Sequence, residues 1–258
     1  MMRKAHWPEY LAEAAALAIF MISASLFTSL LEHHQSPVVA LIPDPLARRA
    51  LMGLAMGATA AALIYSPLGA RSGAHMNPAV TLAFLRLGRI PRADALFYVL
   101  AQFIGGLAGM IAASALLGRV LAEPSVYFVQ TRPGEAGAAA ALVAELAISF
   151  TTFSVLLRIA SRPRTMALAG AAAGLLVMLN ITFEAPLSGM SMNPARTLAP
   201  ALLAGSFDVL WIYFSAPPLG MLLAAEWFRR RSRPAPCPRL NHTPRLPCIF
   251  CGDICTTT

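Results

Sequence analysis

Two stretches of this chain are near copies: SGAHMNPAVTLA at 72–83 and SGMSMNPARTLA at 188–199, identical at nine of twelve positions. The similarity extends outward in register. YLAEAA at 10–15 corresponds to LVAELA at 142–147, and AQFIGG at 101–106 corresponds to APPLGM at 216–221. A chain built from two such copies must fold as two related halves. It carries six long apolar runs, roughly 10–31, 50–68, 93–117, 137–157, 166–183 and 209–228. Each is near the ~20 residues a helix needs to cross ~30 Å of hydrocarbon. With three runs per half, an odd number, the halves enter a membrane from opposite faces. That is an inverted repeat, whose functional site lies near the midplane where the halves meet.

Composition agrees with a membrane protein. Only 12% of residues are charged and 57% are hydrophobic, against about 25% charged in soluble domains. The runs are continuous rather than alternating, which excludes a transmembrane barrel. Arg3 and Lys4 precede the first run. It is longer than a signal-peptide core and no cleavage pattern comes after it, so it reads as a permanent span. Sorting Lys and Arg by side leaves fifteen on the face that holds both termini and four (Arg48, Arg49, Arg119, Arg132) on the other, with Arg196 apart. The positive-inside rule then predicts cytoplasmic termini in a multi-pass cell-membrane protein. The net charge of +8 is thus topological, and no nucleic-acid partner is expected.

Each duplicated stretch precedes an apolar run too short to span, residues 79–85 and 195–203. At 1.5 Å per residue such a helix covers ~10–15 Å, about half the hydrocarbon. The sequence therefore predicts two re-entrant half-helices that meet N-terminus to N-terminus. Irregular backbone at that depth survives only where protein buries it or it lines a cavity. Asn is a strong N-cap and Pro suits the first helical position. Asn77-Pro78-Ala79 and Asn193-Pro194-Ala195 would cap their half-helices through the side-chain carbonyl and leave an amide to face the cavity.

At SGAHMNPAV and SGMSMNPAR, with Glu13 and Glu145 inside the first span of each half, the chain resembles the aquaporins, the major intrinsic proteins. The resemblance runs over about 10–228. It implies an all-α channel domain at 1–230 (repeats at about 9–118 and 137–229), six spans, two half-helices and a homotetramer in the lipid bilayer. It also implies a passive channel for water, with glycerol, urea, ammonia or peroxide as further neutral solutes and with protons and ions excluded. Arg196, expensive at membrane depth, takes the role of the arginine in the outer constriction. Glu13 and Glu145 accept hydrogen bonds from the loops beside the motifs, and His75 packs in its loop. Family spacing names Gly57, Ile181 and Met190 as the other constriction residues, with Thr182 and Phe183 as neighbours in register. That set matches neither the water branch, with its aromatic and histidine, nor the glycerol branch. Gly57 would widen the filter and Met190 would narrow it. Thr197, where the glycerol branch has Asp, and the Tyr213-Phe214 pair lean toward the water branch.

No nucleophile–base pair or phosphate loop suggests an enzyme, and no cofactor is implied. A secondary transporter of a small solute is the alternative, since transporters share inverted repeats and broken helices. The tail, 231–258, is rich in Pro and Arg and reads as disordered. It holds all four cysteines, Cys237, Cys248, Cys251 and Cys255, with His242 among them. Cys248-x2-Cys251-x3-Cys255 with His242 upstream offers metal-ligand residue types, but it lacks the paired CxxC knuckles of a zinc site, so a flexible tail without metal is the expectation.

Overall fold

The computed structural model describes residues 5–231, 235–239, 241 and 248–251. These residues form helices and connecting loops without strands. Eight helices carry the architecture: α1 (Trp7–Glu32), α2 (Pro45–Tyr65), α3 (Pro78–Arg86), α4 (Arg92–Leu117), α5 (Gly137–Ala160), α6 (Ala169–Phe183), α7 (Pro194–Ala204) and α8 (Leu210–Arg230). Four of them, α1, α2, α4 and α5, are long and apolar enough to cross a bilayer on length and composition alone. The fifth predicted run is shorter than expected: α6 begins at Ala169, after a separate turn at Pro163–Met166. A break at Pro163 is natural because the ring cannot continue a preceding helix.

The starts of several elements are written in the sequence. Asp44 caps α2 by accepting from Leu46 N and Ala47 N at 3.2 and 3.1 Å, with Pro45 at the first helical position. Ser66 ends α2 and caps the next turn, Pro67–Ser72.

The packing obeys the repeat. In each half the first span lies along the third, α1 on α4 and α5 on α8, while α2 and α6 pair across the halves. Glycines permit these contacts. A Cβ on Gly105 would stand 2.2 Å from Ala14 O, and one on Gly109 would stand 2.5 Å from Ala18 O. Gly57 and Gly174 do the same for α2 and α6, each lying against the other's carbonyl at 2.4–2.5 Å from where a Cβ would be. Small residues four apart let helices approach closely where lipid offers no hydrophobic drive. The half-helices cross over: α3 packs on α8 and α7 on α4, so each half supports the other's loop. Leu11, Ile104, Leu116 and Val143 point outward, each more than 55% exposed. That is the expected surface of a protein solvated by acyl chains.

Candidate functional site

The two duplicated stretches meet at the centre, each held by two backbone N–H bonds to a buried glutamate. Glu13 accepts from the backbone N–H of His75 (2.9 Å) and Met76 (2.7 Å), and from Gln102 Nε2 (2.9 Å). Glu145 accepts from Ser191 N (2.5 Å), Met192 N (2.8 Å) and Ser188 Oγ (3.0 Å). Both glutamates are completely buried. Donors turned toward a carboxylate are the way a loop at membrane depth disposes of its amides, since an unpaired one costs about 1–3 kcal/mol. The loops need left-handed backbone at Gly73 (φ +95°), Ala74 (+52°) and Met76 (+48°), and again at Gly189 (+78°), Met190 (+50°) and Met192 (+52°). Alanine and methionine rarely adopt that conformation, so the bonds to Glu13 and Glu145 are what hold it. Two tyrosines brace the loops from outside. Tyr98 Oη donates to Ser72 O at 2.8 Å, and Tyr213 Oη donates to Ser188 O at 2.5 Å.

Asn77 and Asn193 cap α3 and α7 as the motif predicts. Asn77 Oδ1 accepts from Ala79 N (2.9 Å), while Asn193 Oδ1 accepts from Ala195 N (3.0 Å) and Arg196 N (3.3 Å). Pro78 and Pro194 open the half-helices, and Ala79 and Ala195 are fully buried behind them. The amide groups are less free than the motif alone implies. Asn77 Nδ2 donates to Met192 O, and Asn193 Nδ2 donates to Met76 O, both at 2.7 Å. One amide proton of each asparagine thus locks onto the opposite loop. The second remains for whatever occupies the cavity.

Both asparagines line a cavity of about 160 Å³. Its wall is otherwise mostly apolar, built from side chains such as Leu17, Met56, Phe153 and Val177. A second space of about 360 Å³ opens beyond it, edged by Glu32, Arg49 and Gln130. Four residues border both spaces and so form the neck between them: Met52, Ile181, Met190 and Arg196. Ile181, Met190 and Arg196 are the residues that family spacing names. Gly57, also named by that spacing, is not at the neck. It faces Gly174 of α6 and borders neither space, because that position serves the contact between α2 and α6. Met52 stands at the neck instead, with Met56 one turn deeper. The neighbours in register are also accounted for. Thr182 is buried and donates to Met178 O at 2.8 Å, and Phe183 points outward at 67% exposure. The neck is therefore apolar on three sides and not widened by a glycine. Arg196 is its polar side, and its Nη1 has no hydrogen-bond partner among the described residues.

His75 is buried and packs in its loop, but it does more than fill space. Its Nε2 lies 3.3 Å from Pro238 O and its Nδ1 lies 3.0 Å from Thr81 Oγ1. A carbonyl can only accept, so Nε2 carries a proton toward Pro238 O. Its ring stacks between Phe84 (5.1 Å) and Phe250 (6.1 Å). Residues 238 and 250 belong to the tail. The reading of 231–258 as disordered fails for the described part: Cys248 and Arg239 are buried, and Ala235, Ile249 and Phe250 pack on the core. The apolar pair Ile249-Phe250 in a Pro/Arg-rich segment was the available signal. His242 and Cys255 lie outside the described residues. Sequence reasoning missed Tyr98 and gave Tyr213 no part in holding a loop, although the two stand 26 and 25 positions after Ser72 and Ser188.

Comparison with known proteins agrees with this arrangement. In solved structures, an aquaglyceroporin from Plasmodium falciparum superposes with a TM-score of 0.72, covering 87% of this chain and 96% of that one at 16% identity. That likeness concerns the fold. In sequence, aquaporin NIP1-4 of Oryza sativa subsp. japonica is 39% identical over 175 residues, which is 67% of this chain and 62% of that protein. Aquaporin NIP2-1 of the same organism is 42% identical over 173 residues, 67% of this chain and 56% of that one. A putative aquaporin NIP4-1 of Arabidopsis thaliana is 41% identical over 161 residues, 62% of this chain and 55% of that one. The matched region spans less than two thirds of each of these relatives. The family model described as major intrinsic protein matches residues 1–228. By that match and by the two interlocked Asn-Pro-Ala loops, this chain belongs to the major intrinsic protein family.

Proposed function

We propose that this chain is a passive transmembrane channel for water, with small neutral solutes as further cargo, and that it excludes ions and protons. The observation that carries the reading is the pair of asparagine amides, each with one proton left over, at the facing N-termini of two half-helices in an otherwise mostly apolar cavity. Each half-helix presents about +0.5 of an elementary charge there, which opposes any cation. A water molecule that accepts from both amides has its lone pairs engaged, so it accepts poorly from the next water. The proton wire is interrupted at that point, as in other aquaporin-type pores. Arg196 supplies a second cationic barrier at the neck and a donor for an entering solute.

Water passes such a neck more readily than glycerol or urea does, because Met52, Ile181 and Met190 offer no hydrogen bonds in exchange for a solute's hydration. Nothing in this scheme makes or breaks a covalent bond, so the reading is of a channel and not an enzyme. Cytoplasmic termini, a cell-membrane location and homotetrameric assembly belong to the same proposal. They rest on the arginine distribution and on the family.

The test is stopped-flow light scattering on proteoliposomes. The expected result is water flux well above empty liposomes, with low activation energy, no coupling to an ion gradient and slow re-swelling in glycerol or urea. Saturable, gradient-coupled uptake would replace the channel with a secondary transporter.

A further inference from the structure

The tail brings three sulfur atoms to one point. Cys237, Cys248 and Cys251 hold their Sγ atoms within 4.8 Å of one another, with Cys237 and Cys248 3.5 Å apart. No disulfide joins them, and a disulfide would use two sulfurs and strand the third. A tetrahedral thiolate site with metal–sulfur bonds of about 2.3 Å places its sulfurs about 3.8 Å apart. The 3.5 Å between Cys237 and Cys248 lies just under that value, and the third sulfur stays within 4.8 Å of both. Thiolates select soft and borderline-soft ions over magnesium or calcium. Three thiolates around a divalent cation carry one net negative charge, and the buried Arg239, two positions from Cys237, is of the opposite sign.

The cluster sits where the tail touches the pore. On one side of Cys237, Pro238 O accepts from His75 and Asn241 Nδ2 donates to Ile64 O at 3.3 Å. Between Cys248 and Cys251, Phe250 stacks on His75 and lies 5.9 Å from the Tyr98 ring. His75 and Ile64 both line the cavity. The backbone of Pro238 and Arg239 lies so close to Gly73 that a Cβ there would meet Pro238 O at 3.0 Å. A cation on the three sulfurs would thus tie together the two tail segments that contact His75 and Ile64.

We propose that Cys237, Cys248 and Cys251 form a binding site for a thiophilic divalent cation of the Zn²⁺ class, and that its occupation fastens the tail as a lid over His75 and Ile64 at the wall of the cavity. The binding half stands on the sulfur geometry alone. The effect on flux rests on the channel reading above.

The first measurement is Co²⁺ titration of the purified full chain in detergent under a phosphine reductant. One equivalent per chain with thiolate-to-metal charge-transfer absorption, displaced by Zn²⁺, is expected. C237S and C248S variants that elute as the parent does lose that absorption. Its absence from the full chain, or its persistence in the C237S/C248S/C251S variant, overturns the site.

The second measurement is water flux in proteoliposomes with Zn²⁺ or chelator on both sides. At free metal about ten times its dissociation constant, a ligand that binds the covered state alone biases the lid about tenfold. Flux through the full chain should fall accordingly, and flux through the triple serine variant should not change. Equal flux with and without Zn²⁺ in a chain that binds Co²⁺ overturns the lid. No flux in either condition overturns the channel reading and with it the lid, while the cobalt absorption still decides the metal site.

Discussion

Glu13 and Glu145 are the clearest case of single residues whose chemistry dictates the site. Each is an acceptor surrounded by donors, and two of those donors are loop amides with no other partner shown. Glu145→Ala should lower thermal stability in detergent by about 1–3 kcal/mol for each amide left unpaired. Glu145→Gln keeps one accepting oxygen and should lose less. Differential scanning fluorimetry on the intrinsic tryptophan emission separates the two. Arg196 acts differently, because its Nη1 donor has no partner among the described residues. Arg196→Leu should leave folding nearly unchanged and raise the passage of small cations, read as ionic conductance in planar bilayers. Glu184, in the loop after α6, contributes a pH dependence. Burial pushes its carboxyl up to about 7 from 4.5. The folded protein thus favours the protonated form, so stability declines as pH rises from the ordinary carboxylate range through neutrality. Comparing melting temperatures near about pH 5 and about pH 8, the wild type should lose more than Glu184→Gln.

At the scale of elements, the neck is decided by how α2 is rotated. Family spacing counted back from Asn77 arrives at Gly57, one residue from Met56. A single residue is about 100° around a helix, enough to move a side chain from the cavity to a neighbouring helix. The count passes through the turn at Pro67–Ser72, whose length the motif does not report, so register was lost there. The half-helices, their asparagine caps and the paired glutamates were legible because each is stated twice in the sequence and each copy checks the other. The helix-contact glycines were not, since a glycine facing a lumen and one facing a backbone carbonyl look identical as letters. Two substitutions separate the roles. Met52→Ala should enlarge the neck and speed glycerol re-swelling severalfold with little effect on folding. Gly57→Leu should instead break the contact of α2 with α6, because a Cβ alone would stand 2.4 Å from Gly174 O. Loss of monodisperse protein in size-exclusion chromatography is the expected readout.

Over the whole molecule, the two halves differ in the segment each one leads into. The first half runs on into the second, whereas the second runs on into the tail that lies over His75 and Ile64. Composition alone described that tail as unstructured, whereas its described residues Ile249 and Phe250 pack on the core. The central bonds carry a further meaning. Asn77 reaches Met192 O and Asn193 reaches Met76 O, the same contact made twice with donor and acceptor exchanged. Two identical subunits related by a two-fold axis make contacts of that kind. The pore is in this sense an isologous dimer interface carried within one chain. A single three-span unit able to insert both ways round would form the same pair of bonds between two copies. Severing the chain in the connection between α4 and α5 should therefore leave halves that recognise each other, and neither half alone contains a complete lining for the passage.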